Sequence, residues 1–168
     1  MNKILPFQNF ISFTIALTVS SVAWTQATPQ KATDFSGEFT LKQDHFLTSE
    51  NRTVKDVVNT LKINAINDSE AQILVETFTQ NMHRCDLVGK AKFEKGHLVF
   101  KSQISPQLNR GKKGQCVLKI SKNQGADGTA ILKVDDTDGM CRLQFCGFQA
   151  ELTGEFRSKP PVEVKDKN

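Results

Sequence analysis

The segment Arg84-Cys85-Asp86-Leu87-Val88-Gly89-Lys90-Ala91-Lys92-Phe93-Glu94 decides the fold. Cys85, Leu87, Gly89, Ala91 and Phe93 share one parity, while Arg84, Asp86, Lys90, Lys92 and Glu94 share the other. Successive side chains leave a pleated strand on opposite faces, so a period of two marks a half-buried β-strand. The same beat continues on both sides. Upstream it includes Phe39 and Leu41, then Leu61, Ile63 and Ala65, then Ile73, Val75, Thr77 and Thr79. Downstream it includes Leu98 and Phe100, then Cys116, Leu118 and Ile120, then Ala130, Leu132 and Val134, with Phe148, Ala150, Leu152 and Phe156 expected to close it. Turn residues punctuate the runs at Asn67-Asp68-Ser69, Lys95-Gly96, Gln124-Gly125-Ala126-Asp127-Gly128 and Asp135-Asp136-Thr137-Asp138-Gly139.

This spacing predicts an all-β domain, an antiparallel meander of about eight strands. Closing it as a small barrel of the lipocalin kind, or folding it as a sandwich, removes or shortens exposed edges. One stretch breaks the beat. Val54, Val57, Val58 and Leu61 fall at helical spacing behind Thr53, which predicts a short helix near 53–60.

The N-terminus predicts export. Lys3 supplies a small positive charge, and residues 10–19 supply an apolar core shorter than the ~20 residues that span a bilayer. Small residues place cleavage after Ala23 or Ala27. The expected organisation is a signal peptide at 1–27, a polar leader at 28–34, one β domain at 35–157 and a disordered tail at 158–168. The expected location is periplasmic or secreted, without a membrane span. Trp24, the single tryptophan, leaves with the signal, and the chain has no tyrosine. That argues against an aromatic platform for sugars or ammonium groups. At a net charge of +4 with 24% charged residues, the chain is neither an acidic disordered tail nor a polybasic nucleic-acid binder.

Export assigns the cysteines. Cys85, Cys116, Cys141 and Cys146 are even in number and destined for an oxidising compartment, so two disulfides are expected. No compact zinc spacing is present, and neither metal nor cofactor is expected. Three connectivities remain open. Cys141 is in phase with Leu143 and Phe145, whereas Cys146 is in phase with Phe148, so the chain must reverse or bulge between them.

Candidate chemistry is sparse. His45, His83 and His97 lack a motif, and Asp44-His45 with Ser49 or Ser102 lacks the strand–turn–helix that a nucleophilic serine needs. The acidic turn at 135–139 supplies two of the four calcium-loop ligands and is expected to be a hairpin turn. No titratable pair is placed for acid–base work, so the expectation is a protein that is not an enzyme. The basic loop Arg110-Gly111-Lys112-Lys113-Gly114 is the leading surface feature. A mobile cationic loop beside Cys116, joined by Lys90, Lys92, Lys95 and Lys101, suits an anionic partner.

His83-Arg84-Cys85 with Gly89 and Ala91, Cys116-Val117-Leu118-Lys119-Ile120, Cys141, Cys146-Gly147-Phe148 and Leu152-Thr153-Gly154-Glu155-Phe156 form a further pattern. It resembles small exported bacterial β-rich, cysteine-containing proteins of mostly unassigned function, some similar to lysozyme-inhibitor-type domains. The resemblance covers about half of the chain beyond the signal and implies a β fold tied by cysteines. Compartment, rigid scaffold and variable loops together predict an exported protein-binding module, an inhibitor or immunity protein against a cell-wall-degrading enzyme in the cell envelope. The alternative is a periplasmic carrier holding a lipid or other apolar ligand among Phe93, Phe100, Phe148 and Phe156. An open phenylalanine-lined cavity would mark the carrier, and a filled core the binder.

Overall fold

A computed structural model describes residues 30–111, 113–147 and 150–158. The signal reading at 1–27, Lys112, Phe148 and the tail from Lys159 lie outside them. The architecture is a closed antiparallel barrel, not a sandwich, with its strands hydrogen-bonded in sequential order. The strands are β1 (Gly37–Leu47), β2 (Arg52–Ala65), β3 (Glu70–Phe78), β4 (Arg84–Glu94), β5 (His97–Ile104), β6 (Gly114–Gln124), β7 (Ala130–Asp135) and β8 (Gly154–Ser158). One short helix, α1 (Met140–Phe145), lies in the long β7–β8 connection.

The alternating parity is what closes the sheet. Leu61, Ile63, Ile73, Val75, Leu87, Leu98, Leu118, Ile120, Leu132 and Phe156 all point inward and are fully buried. Each contributes roughly 1.5–3 kcal/mol by leaving water. A barrel interior this narrow is filled by side chains, and glycine adjusts the fit. Gly89 faces inward on β4, and the Phe100 ring occupies the space a side chain there would need, with Cε2 only 2.2 Å from an added Cβ.

The lower end is sealed by part of the polar leader. Residues Ala32–Phe35 form a 3-10 turn in which Ala32 and Phe35 are fully buried. The Ala32 amide donates to the Asp68 carbonyl at 2.9 Å, and Phe35 stacks at a tilt on Phe93 with ring centres 5.9 Å apart. The Lys122 ammonium donates to the Asp34 carbonyl. The turn thus packs as a floor because Ala32 of the leader and Phe35, the first residue after it, are apolar and fall on one side.

The upper end is less regular, because two seams of the barrel are short. The β4–β5 ladder holds only the pairs from Ala91↔Phe100 to Glu94↔His97. The β1–β8 ladder holds only Phe39↔Ser158 and Thr40↔Arg157. Above these pairs the neighbouring strands separate. At the first seam α1 fills the gap. Cys85 of β4 and Cys116 of β6 point inward, and they bond to Cys146 and Cys141 at the two ends of α1. Cys146 also forms a main-chain bridge with Cys85, the Gly147 amide donates to the Arg84 carbonyl at 3.0 Å, and Phe145 meets the edge of Phe100 at 5.7 Å.

Three expectations are corrected. The stretch 53–60 is strand, not helix. Lys55 and Asp56 together stand opposite Asp44, and Asp56 has a left-handed φ of 51°. This β-bulge moves the inward set from Val57 to Val54 and imitates a helical interval of three. The turn at 135–139 does not join two strands but leads into α1, where the Asp136 carboxylate accepts from the Cys141 and Arg142 amides at 3.1 and 2.9 Å. Ala150 and Leu152 are buried, yet they lie ahead of β8 in a segment that crosses toward β3, where the Thr77 hydroxyl donates to the Glu151 carbonyl at 2.5 Å.

Two stability predictions follow from these contacts. Gly89→Ala is expected to cost roughly 1–3 kcal/mol in urea unfolding by overpacking against Phe100, and Phe100→Leu made with it to recover most of that loss. Cys85→Ala with Cys146→Ala is expected to cost roughly 2–4 kcal/mol. Hydrogen exchange in that variant should open α1 before the barrel strands.

Candidate functional site

The upper rim has two sides of different chemistry. On one side the loop between β5 and β6 carries the expected cations. Arg110 and Lys113 are both exposed, and neither makes an ion pair among the described residues. The described part of the loop includes a hydrogen-bonded turn. The Pro106 carbonyl accepts from the Asn109 and Gly111 amides at 3.1 and 2.7 Å. Arg110 and Gly111 take left-handed φ values of 50° and 77°, which only glycine adopts without strain. The Ser105 amide donates to Gln144 Oε1 of α1 at 3.2 Å. A helix fixed by two disulfides therefore also positions the basic loop.

The lysines that the sequence grouped with this loop separate. Lys90, Lys92 and Lys101 lie on the outer face of β4 and β5, and Lys119 of β6 joins them through Val99, which faces both Lys92 and Lys119 across the ladders. Lys101 is paired with Glu94 at 2.8 Å. Lys95 sits in the β4–β5 turn at the lower end, away from Arg110.

On the other side of the rim, the short β1–β8 seam leaves a cleft of about 660 Å³ lined by Gln43, Asp44, His45, Thr79, Gln80 and Glu151. Its shape follows from the bulge. Asp44 accepts from the Lys55 ammonium at 2.6 Å and from the Asp56 amide at 3.0 Å. The turn after β3 is tied to the β1–β2 tip, because Asn81 Oδ1 accepts from the Thr48 amide and hydroxyl at 2.7 and 2.9 Å. His45 is only 4% exposed, and its Nε2 is the one buried side-chain polar atom without a partner among the described residues. Leaving such an atom unpaired costs about 1–3 kcal/mol, so a polar group that reaches it from the cleft would be stabilised. Two carboxylates and no cation line this cleft. A second cleft of about 320 Å³, on the far side of the Glu151 segment, is lined by Asp136, Asp138, Arg142, Glu151, Leu152 and Thr153 among others.

The three histidines do not form one cluster, because His97 sits at the opposite end of the barrel from His45 and His83. His83 precedes β4 and His45 faces the β1 cleft. His97, at the lower end, shares a 3.1 Å hydrogen bond with Ser121; burial, aided by the Lys119 charge, pushes its pKa down. The Asp44 carboxylate is committed to Lys55 and the Asp56 amide. Among the described residues no group of His, Cys, Asp and Glu could hold a metal. Phe100 and Phe156 belong to the packed core and Phe93 to the floor, so none of the described phenylalanines lines these clefts. Sequence reasoning missed Gln43, Thr79, Gln80 and Glu151, because only the gap between β1 and β8 brings them together.

The chain matches no protein-family model, no curated protein and no solved structure.

The bulge has a pH signature. The Lys55 hydrogen bond, together with the Asp56 amide, holds the Asp44 carboxyl below its ordinary range. A carboxyl depressed in the folded state stabilises fully above its unfolded value, about 3.9, and that contribution disappears as pH falls through the folded value. Asp44→Asn is therefore expected to flatten the acid limb of the melting-temperature profile below about pH 4. The neutral-pH fold should persist in that variant by circular dichroism.

Proposed function

We propose that this chain is an exported protein-binding module that engages its partner across the upper rim, an inhibitor or immunity protein against a cell-wall-degrading enzyme of the cell envelope. The observation that supports this reading is the filled barrel: the floor turn at one end and the stapled α1 at the other leave a contiguous packed core. With the interior occupied, the chemistry is left to the loops and the rim. The rim is polarised. Arg110 and Lys113 stand on the β5–β6 side, and on the β1 side stands Glu151, with Asp44 already matched by Lys55. Opposite charges on opposite sides of one docking surface fix a partner's orientation and speed its encounter.

The reading assigns binding, not catalysis, to this surface, and it needs no cofactor and no nucleic acid. Two disulfides are compatible with an oxidising, exported environment. Among the described residues, no helix is long and apolar enough to cross a membrane.

The test combines ligand uptake with partner capture. The disulfide-intact protein is expected to show no saturable uptake of a fluorescent fatty acid and to retain a protein from envelope extract. Arg110→Gln with Lys113→Gln should slow association with that protein several-fold at low salt, with the rates converging as salt screens the loop. A co-purifying lipid with no retained protein would overturn this reading in favour of a carrier.

A further inference from the structure

The barrel has two short seams, and only one of them is filled. At the β4–β5 seam the chain supplies its own insert: α1 enters the gap, and Cys146 pairs with the upper edge of β4 as an isolated antiparallel bridge. At the β1–β8 seam the 3-10 turn Gln80–Met82 packs near the β1 tip through Asn81 and Thr48, but among the described residues no strand or bridge pairs with the upper part of β1 on that side. β1 runs to Leu47, yet its ladder with β8 ends at Thr40. Beyond Leu41, whose side chain still lies against Gly154, no main-chain hydrogen bond joins β1 to the segment from Ala150 to Thr153 among the described residues. Among the described residues, the stretch from Gln43 to Leu47 is therefore a strand edge, paired with β2 across the bulge and with no paired strand on its other side.

Open edges invite pairing, and proteins normally shorten, cover or charge them. Here the edge borders the 660 Å³ cleft with the orphaned His45 Nε2 in its wall. We propose that the β1 edge from Gln43 to Leu47 is a strand-addition site for an extended segment of the partner protein that carries a cationic side chain. The inference rests on the protein-binding reading and names the partner's chemistry. An added strand gains main-chain hydrogen bonds along the edge and places alternate side chains in the cleft. The sign of the charge follows from the lining, where Asp44 and Glu151 carry carboxylates and no lysine or arginine is present. Asp44 is already matched by Lys55, so Glu151, which makes no side-chain ion pair among the described residues, is the carboxylate left to receive the cation. The same insertion brings polar groups to the wall that holds His45.

The test uses three synthetic probes against the disulfide-intact protein, followed by amide NMR and hydrogen exchange. The first is a capped peptide of alternating valine and lysine. The second replaces lysine by glutamate. The third keeps lysine but is N-methylated on alternate residues, which removes the donors that strand pairing needs. The first probe is expected to shift Gln43–Leu47, Gln80 and Glu151, to slow amide exchange along Gln43–Leu47, and to move the ring nitrogen resonances of His45. The glutamate and N-methylated probes should do neither. Glu151→Gln should weaken the first probe by roughly two- to fivefold, the range of one exposed ion pair. Equal binding of all three probes, or shifts confined to the Arg110–Lys113 loop, would overturn the proposal, as would no binding of the first. Fatty-acid uptake by the barrel would instead overturn the protein-binding reading and leave protection of Gln43–Leu47 to be judged on its own.

Discussion

The covalent attachment of α1 to the inner wall governs the upper half of this molecule. Cys85 and Cys116 point into the barrel on strands that flank β5, and the ends of one six-residue helix are bonded to them. A helix of that length is not stable alone in water. Held by two disulfides and by the edge contact of Phe145 with Phe100, it becomes a wall element. What is hydrogen-bonded to α1 inherits its position: the basic loop through Ser105 and Gln144, and the Asp136 turn through its carboxylate.

The same constraint explains why the rim has two characters. An eight-stranded sheet must twist and tilt to close, and strands of unequal length leave gaps where a long strand outlasts its neighbour. β4 and β5 diverge above four pairs, and β1 outlasts β8 above two. The chain fills the first gap with a stapled helix and leaves the second as a polar cleft. The bulge at Lys55 and Asp56 bends the β1–β2 tip over the turn that follows β3, which buries His45 beside that cleft. Packing thus concentrates in the barrel body, and unspent hydrogen-bonding capacity concentrates at one seam.

How much was legible in the sequence depended on the range of the signal. The all-β architecture was, because alternation over each strand is local and every inward residue repeats it. Two disulfides were legible from the even cysteine number and the absence of metal-ligand spacing, but their pairing was not. The misplaced helix at 53–60 has a local cause too: one inserted residue at a bulge turns a period of two into an interval of three, and valines at Val54 and Val57 then resemble a helical face. The cationic loop was legible as composition, whereas its tether to α1 was not. The cleft was illegible, since Gln43, Thr79 and Glu151 carry no motif and lie far apart in the chain.

By itself the sequence determined the period-two alternation and the presence of an even set of cysteines able to pair, because both can be read from the residues alone. Only the tertiary structure decided barrel over sandwich, the pairings Cys85–Cys146 and Cys116–Cys141, the buried role of Ala32 and Phe35, and the open edge of β1. Those depend on closure, where distant strands of unequal length meet. A seam is a relation between two strands, and neither strand records in its own residues how far the other extends.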